Sequence, residues 1–340
     1  MDKDLDIQIK EALKSYLASG VEGQVNYQKF YLYSIVTHST AIEGSTVTEI
    51  ENQLLFDEGI AAKGRSLSEQ MMNVDLKDAY LHAFQMASEN PTYSPQLLQQ
   101  LATIVMRRTG SEYSTITGKI DSSKGELRLN NVSAGIGGKS YLAYNKVPRA
   151  VDDFCSWLNE KIAHIDKKDI AACYRISFES HFRLVTIHPW VDGNGRTTRL
   201  LMNMIQRQLG LIPSIVRKED KGEYIQSLVD SRENDDSTIA QDIMLHHHIA
   251  NLNHRVSQYQ ENDGVNICKD GLNDGVKRLN KILQRIYNEI VNKPEIRTTE
   301  LMKILNISES TVTRATRELK KLGYIKRMGS DKTGKWQILK

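Results

Sequence analysis

His188-Pro189-Trp190-Val191-Asp192-Gly193-Asn194-Gly195-Arg196-Thr197-Thr198-Arg199 places a titratable base, a carboxylate, two glycines and two arginines in one short stretch of chain. Asp192 to Gly195 is poor helix-forming sequence, whereas Arg196 to Ile205 is favourable, so the glycines belong to a loop that runs into a helix N-terminus. There the first backbone NH groups have no helical acceptor and the positive end of the helix dipole faces outward, which suits an anion. Glycine allows successive NH groups to converge and lets the main chain approach a phosphate closely. Arg196 and Arg199, three residues apart on the following helix, are both expected to reach one ligand. Together these groups suggest a nucleoside triphosphate site with a base beside it.

The segment resembles the HPFx(D/E)GNGRxxR signature of Fic-domain proteins, departing from it only in Trp190, which stands where Phe is usual. Base, metal carboxylate, anion nest and paired arginines in that order form a specific pattern. The resemblance implies AMP transfer from ATP to a hydroxyl on a target protein or on the chain itself. An imidazole with a reference pKa of about 6.5 is a natural proton acceptor near neutral pH, and His188 takes that role, catalytic in the strict sense. Asp192, a hard oxygen donor, would hold Mg²⁺. Asn194, with the NH groups of Gly193, Gly195 and Arg196, would hold the α- and β-phosphates, and Arg199 the γ-phosphate. Tyr224 resembles the family tyrosine near the adenine base, although a core tyrosine fits its surroundings as well.

Far upstream, Ser39-Thr40-Ala41-Ile42-Glu43-Gly44 fits the family's (S/T)xxxE(G/N) inhibitory motif. It follows a helical segment, Tyr27 to Val36, so Glu43 is expected near a helix end. A carboxylate against Arg199 would exclude the γ-phosphate by volume and charge, which implies an autoinhibited enzyme. Some members of this class also remove AMP, and the residues do not separate the two directions.

The 340 residues, 40% hydrophobic and 26% charged, describe an ordinary globular protein large enough for two or three domains. No apolar run approaches the ~20 residues of a membrane span, and the charged start lacks a signal peptide's pattern, so no membrane association and a cytoplasmic address are expected. Cys155, Cys173 and Cys268 are scattered and form no zinc or disulfide spacing. His246-His247-His248 diverge around a helix and cannot converge on one metal.

Periodicity marks helices over 97–108, 151–162, 170–185, 196–209 and 239–259. Between them, Glu126 to Asn130 and Ser140 to Tyr144 alternate around the Gly135-Ile136-Gly137-Gly138 turn, which predicts a hairpin. Such a hairpin is either a plain surface loop or, as the resemblance implies, a flap that aligns a target segment by strand addition.

Charge divides the chain unevenly. Residues 276–340 carry 16 Lys and Arg against 6 Asp and Glu, a net of +10, leaving −7 for the rest. The turn-rich stretches Glu261 to Gly264 and Asn273 to Gly275 mark the join. The tail predicts a helix over Val276 to Val291, a second over Thr299 to Leu305 capped by Thr298, and a third over Glu309 to Leu322 capped by Ser308 and ended by Gly323. A hairpin with a polar tip at residues 329–334 follows, and the whole resembles a winged helix. Ser310, Thr311, Thr313, Arg314 and Arg317 on the third helix would reach DNA bases or phosphates, with Lys320, Lys321, Lys326 and Arg327 adding charge. Protein interaction or dimerisation is the competing use of such a module, and homodimer formation stays open.

The expected fold is therefore mainly α: an N-terminal helical region with the inhibitory helix over 1–110, a Fic-type catalytic core with its flap over 111–260, a linker over 261–275 and a winged helix-turn-helix domain over 276–340. Two functions fit: an autoinhibited protein adenylyltransferase, or a DNA-binding transcriptional regulator whose Fic domain senses nucleotide or modifies itself.

Overall fold

The computed structural model describes residues 2–133, 140–260, 286–287, 289–291, 293–305, 307, 309–321, 325–328 and 335–338. The chain divides into two compact units, Met1–Cys268 and Lys269–Lys340. The larger holds helices α1 (Lys3–Ser19), α2 (Tyr27–Ile42), α3 (Glu49–Glu58), α4 (Leu67–Ser88), α5 (Pro95–Val105), α6 (Val147–His164), α7 (Ile170–Ile187), α8 (Asn194–Gln208), α9 (Lys221–Glu233) and α10 (Thr238–Gln260). Strands β1 (Glu112–Thr115) and β2 (Gly118–Asp121) form a small antiparallel hairpin between α5 and α6.

Helix α8 runs through the middle of this unit, packed against α4, α5 and α7. Leu200, Leu201, Met202, Met204 and Ile205 are all fully buried, so the helix is enclosed on every side. Two of its buried amides, on Asn203 and Gln206, are met by hydrogen bonds. Asn203 accepts from the Tyr80 hydroxyl at 2.8 Å and donates to the Ser214 carbonyl at 2.9 Å. Gln206 donates to the Ser177 and Ser214 hydroxyls, both at 2.9 Å.

Helix α2 extends beyond the segment that periodicity marks, reaching Ile42 with Glu43 as its C-cap. Thr37 and Thr40, polar residues that would ordinarily favour a helix end, bond back to the Tyr33 and Val36 carbonyls. Beyond the helix, Asn73 of α4 accepts from the Thr40 hydroxyl at 2.7 Å and donates to the Ser45 hydroxyl at 3.1 Å. Asn52 of α3 donates to Thr37 and to Asn73, at 2.7 and 2.9 Å. Asn52 and Asn73 are fully buried, so this polar cluster anchors the end of α2 from which Glu43 projects.

Two sequence expectations are corrected. Helix α5 stops at Val105, not Arg108, because the Arg108 amide and guanidinium both bond Asp75 of α4, at 2.7 and 2.5 Å, and turn the chain. The regular hairpin pairs Glu112 with Asp121 through Thr115 with Gly118; Glu126–Asn130 and Tyr141–Tyr144 are not strands. That later segment carries one antiparallel bridge, Ser133 with Ser140, and a Tyr141 amide bond to the Val132 carbonyl at 3.0 Å. The buried Arg128 guanidinium takes the Asn130 and Leu142 carbonyls, which replaces a ladder by side-chain bonds. The turn expected at Gly135–Gly138 lies outside the described residues.

The smaller unit contains α11 (Thr298–Leu305) and α12 (Glu309–Lys321), followed by the antiparallel pair β3 (Ile325–Met328) and β4 (Lys335–Ile338). Ile286, Ile290, Ile296, Leu301, Leu305, Val312, Leu319, Ile325 and Trp336 build its core. Trp336 donates from its indole to the Ile296 carbonyl at 3.2 Å, which ties the wing strand to the helices. Most of the helix expected at 276–291, the caps Ser308 and Gly323, and the linker 261–275 lie outside the described residues. No described helix is long and apolar enough to cross a membrane.

Arg175 of α7, almost fully buried, donates to Asp6 of α1 at 2.7 Å and to Asp242 of α10 at 2.6 Å. Both carboxylates keep roughly a quarter of their surface, which softens the loss of a buried partner. Arg175→Met is expected to destabilise the larger unit by about 2 kcal/mol, read as a lower urea midpoint; an unchanged midpoint refutes the anchoring role.

Candidate functional site

Helix α7 ends where His188 takes a left-handed backbone, φ 55° and ψ 62°, with its amide still bonded to the Leu184 carbonyl at 3.0 Å. A non-glycine residue there is uncommon, and its surroundings hold it. Trp190 is buried and donates from its indole to the Gly125 carbonyl at 3.1 Å. Asn194 closes the loop: its side chain accepts from the Trp190 amide at 3.1 Å and donates to the Trp190 carbonyl at 2.8 Å. One amide hydrogen and the carbonyl oxygen of its side chain are thus engaged in the loop, and the second amide hydrogen is left over. Gly193 has φ 79° and caps α8; a Cβ there would lie 2.6 Å from Met106 Sδ. A Cβ on Gly195 would run into the Glu43 carboxylate and lie 3.0 Å from the Arg199 guanidinium.

Arg199, 2% exposed, spends its donors on α2 and α9. Its Nη2 donates to Glu43 Oε1 at 2.6 Å and to the Ser39 carbonyl at 2.9 Å. Nε donates to the Ser39 hydroxyl at 2.9 Å, and Nη1 to the Tyr224 hydroxyl at 3.4 Å. Burial by itself would raise the Glu43 pKa, but the Arg199 charge and hydrogen bond, with Arg196 and Lys221, outweigh it and hold the carboxyl below its ordinary value. Glu43 is therefore an anion at neutral pH, seated directly beside Gly195 at the mouth of the α8 N-terminus.

Arg196 faces a different neighbourhood. Its Nη2 lies 3.2 Å from Met106 Sδ and 3.6 Å from Asp192, while Nε and Nη1 are buried without a hydrogen-bond partner. The two arginines share no partner in this arrangement, and the one with unmet donors is Arg196. Tyr224 is fully buried, with its hydroxyl 2.9 Å from His181 Nε2. Burial and the nearby Arg199 charge push His181 down to about 3, so it is neutral.

His188 lines a cavity of about 430 Å³ together with Glu43, Gly195, Arg199, Tyr224 and the Ile225, Leu228 and Val229 face of α9. Burial lowers its pKa to about 4; the Val185 carbonyl and Glu43 oppose this, and Arg128 and Arg232 reinforce it. Three contacts here are invisible in the motif. Tyr141 stacks on His188 with ring centroids 4.0 Å apart and planes 17° apart, and the Arg232 guanidinium lies 4.9 Å from the centre of the Tyr141 ring. Arg128 donates from Nε to the His188 carbonyl at 2.7 Å, and its amide bonds the Pro189 carbonyl at 2.9 Å. A lone arginine between Leu127 and Leu129 was the available sequence signal for Arg128; nothing local marks Tyr141 or Arg232.

Asp192 is exposed at the loop, with Oδ1 accepting from the Gly193 amide at 2.5 Å. Among the described residues no three His, Cys, Asp or Glu side chains converge on a metal position. A single exposed carboxylate fits Mg²⁺ that arrives with phosphate oxygens and waters, and does not fit a cation held by protein alone. His247 instead pairs with Glu223 at 2.7 Å, and His248 packs on Tyr174 with ring centroids 4.7 Å apart. Cys155 and Cys173 are buried free thiols.

In the smaller unit Thr313 and Arg317 of α12 are exposed and Thr311 is half-buried. The side chains of Ser310 and Arg314 lie outside the described residues. Lys320 and Arg327 sit over the Trp336 ring, at 5.2 and 4.6 Å, so these two cations also serve the core.

Residues 92–206 match the Fic/DOC family model, and residues 279–326 match a winged helix-turn-helix DNA-binding model. Among curated proteins, the chain is 29% identical over 204 residues to "Protein adenylyltransferase Fic" of Drosophila erecta, covering 59% of this chain and 37% of that protein. To the Drosophila virilis protein of the same name it is 30% identical over 204 residues, covering 59% and 38%. The chain thus spans less than two fifths of the length of these relatives. Among solved structures, a Fic domain containing signaling protein from Bacteroides thetaiotaomicron superposes with a TM-score of 0.63 at 19% identity, over 75% of this chain and 97% of that one. A Fic family protein from Desulfovibrio desulfuricans superposes with a TM-score of 0.61 at 19% identity, over 98% and 94%. These likenesses concern the fold.

The His188 imidazole is expected to titrate near pH 4, well below an exposed histidine, when its ring protons are followed by NMR. A midpoint near 6.5 contradicts the burial and charge pattern around it.

Proposed function

We propose that this chain, which carries a Fic/DOC domain at residues 92–206 and a winged helix at 279–326, is an autoinhibited protein adenylyltransferase. The observation that carries the proposal is the Glu43–Arg199 ion pair at one end of the cavity that His188 lines. In this reading His188 Nε2 accepts the proton of a target hydroxyl, since Nδ1 is buried. The freed oxygen forms a bond to the α-phosphorus of ATP, the bond to the bridging oxygen of the β-phosphate breaks, and pyrophosphate leaves. Backbone NH groups of Gly195 and Arg196 at the α8 N-terminus stabilise the developing charge, aided by the unmet donors of Arg196. Mg²⁺ bound with the nucleotide would neutralise phosphate charge, and Asp192 would be its protein ligand. The apolar α9 face would receive the base.

Arg199 would bind the γ-phosphate only when Glu43 leaves. Its donors to Ser39 and Tyr224 persist in either state, so one carboxylate exchanges for one phosphate. The same Glu43 can orient a water for the reverse step, in which AMP is removed and His188 returns the proton to the leaving hydroxyl.

A second reading is supported by the winged helix. Thr313 and Arg317, exposed on α12, fit a DNA-facing helix, and the chain would then be a transcriptional regulator whose nucleotide site tunes it. Both activities can reside in one chain.

Glu43→Gly is expected to raise AMP incorporation from ATP and Mg²⁺ by on the order of tenfold or more, seen by intact mass as added AMP. His188→Ala in that background should lower it by on the order of 10³-fold. No gain on removing Glu43 refutes autoinhibition. On a target already carrying AMP, Glu43→Ala abolishes removal if Glu43 orients the water; unchanged removal excludes that role.

For the full chain, a DNA mobility shift should be present at low salt and weaken steeply as salt rises. Absence of a shift at low salt excludes DNA binding in favour of a protein-interaction role.

A further inference from the structure

Proton transfer needs more than a basic nitrogen: the ring must aim it to within about 10–20°. His188 sits at the end of a helix in a left-handed conformation, with Nδ1 buried, so the remaining variable is rotation of the imidazole plane. Tyr141 lies flat against that plane, 4.0 Å away and within 17° of parallel. Stacking resists rotation while leaving the ring edge, and hence Nε2, uncovered.

Tyr141 is itself braced. Arg232 of α9 lies 4.9 Å from the centre of the tyrosine ring, and both side chains line the cavity with His188. Arg232 Nε is buried without a hydrogen-bond partner, so this guanidinium is held by packing against the ring. Below the rings, one guanidinium ties the two backbones together: Arg128 donates to the His188 carbonyl and to the Leu142 carbonyl next to Tyr141. The charged groups that bear on the imidazole are Arg128 from the loop after β2, Arg232 from α9 and Glu43 from the end of α2, with the Val185 carbonyl of α7.

We propose that Tyr141, braced by Arg232, is a positioning residue that fixes the plane of His188 for proton transfer and accommodates the imidazolium formed after it. The aromatic ring, not the hydroxyl, carries the role. The Tyr141 π system already lies against the Arg232 guanidinium, and a ring that accepts one cation can also meet a transient imidazolium formed on the ring it stacks against. Arg232 opposes that second charge, which favours the neutral imidazole before transfer and its prompt deprotonation after. The proposal rests on the adenylyltransferase reading for its catalytic consequence but not for its geometry.

The test uses the full chain in the Glu43→Gly background, with AMP incorporation as readout. Tyr141→Leu should lower kcat by roughly tenfold, the scale of an aromatic pair, with the KM for ATP nearly unchanged. Tyr141→Phe, which keeps the ring, should restore most of the rate. Arg232→Met should move the acid limb of the kcat profile upward by about half a pH unit, because a positive charge near the imidazole is lost. NMR of the otherwise unaltered chain without nucleotide reads the stack directly. Tyr141→Leu should shift the His188 carbon-bound ring protons by loss of the ring current, and Arg232→Met should raise their titration midpoint.

Equal losses in Tyr141→Leu and Tyr141→Phe, or His188 resonances indifferent to Tyr141→Leu, overturn the proposal. A Glu43→Gly chain that transfers no AMP overturns the adenylyltransferase reading instead, and the NMR arm then decides the stack by itself.

Discussion

A guanidinium taken out of water must be matched by an anion and by acceptors for its fixed fork of donors, or its burial is prohibitive. Arg199 meets that requirement through Glu43, the Ser39 carbonyl and hydroxyl, and the Tyr224 hydroxyl. Much of the larger unit can be understood as support for this arrangement. The α2 C-terminus must lie against the start of α8, so Thr37 and Thr40 are bonded back into their helix and Asn52 and Asn73 grip its far end. Gly195 must lack a side chain because the Glu43 carboxylate occupies the space a Cβ would need. The compensating anion is supplied by a separate helix, so it can be exchanged for another anion without stranding the buried cation. An ion pair of this kind is suited to a switch as well as to stability.

The site's electrostatics have two poles. Around Arg199 and Arg196, positive charge is concentrated at the α8 N-terminus, where the helix dipole adds to it. Around His188 burial, reinforced by the cations Arg128 and Arg232, keeps the imidazole neutral, with a pKa of about 4. A neutral imidazole can accept a proton, whereas a histidine with an ordinary pKa beside Glu43 would be partly protonated near neutrality. The same positive surroundings that would attract an anionic nucleotide would therefore also preserve a base. The apolar α9 face, His188, Gly195 and Arg199 line one cavity, so both requirements fall within a single volume.

The helical framework was legible because apolar spacing survives in a buried bundle: all five helices marked by periodicity differ at their ends by no more than four residues, and α8 starts two residues earlier, at Asn194, as the loop geometry there allows. Errors arose where a side chain overrode local pattern. Asp75 stops α5 early by capturing Arg108. Arg128, inserted among alternating leucines, removes the ladder that the alternation around 126–130 suggested. Asn194 also closes its own loop through Trp190, a contact that the motif does not announce. In the smaller unit, Lys320 and Arg327, expected to add charge for a DNA partner, also lie over Trp336. In each case the deciding partner is distant in sequence, or is a backbone group that the residue type does not specify.

By itself the sequence determined the chemical inventory: a base, a carboxylate, a glycine-rich turn into a helix and two arginines, with a glutamate far upstream at the end of a helical segment. Covalent order and local propensity are sufficient for that, since the anion loop is built from adjacent residues. Only the tertiary structure decided that Glu43 lies 2.6 Å from Arg199, that Arg196 faces Met106 and Asp192 instead, that Tyr141 stacks on His188 and that Arg232 lies over the Tyr141 ring. Those contacts depend on how α2, α4, α8 and α9 pack, and packing is set by the summed burial of many weakly specific apolar side chains, a property that no short motif encodes.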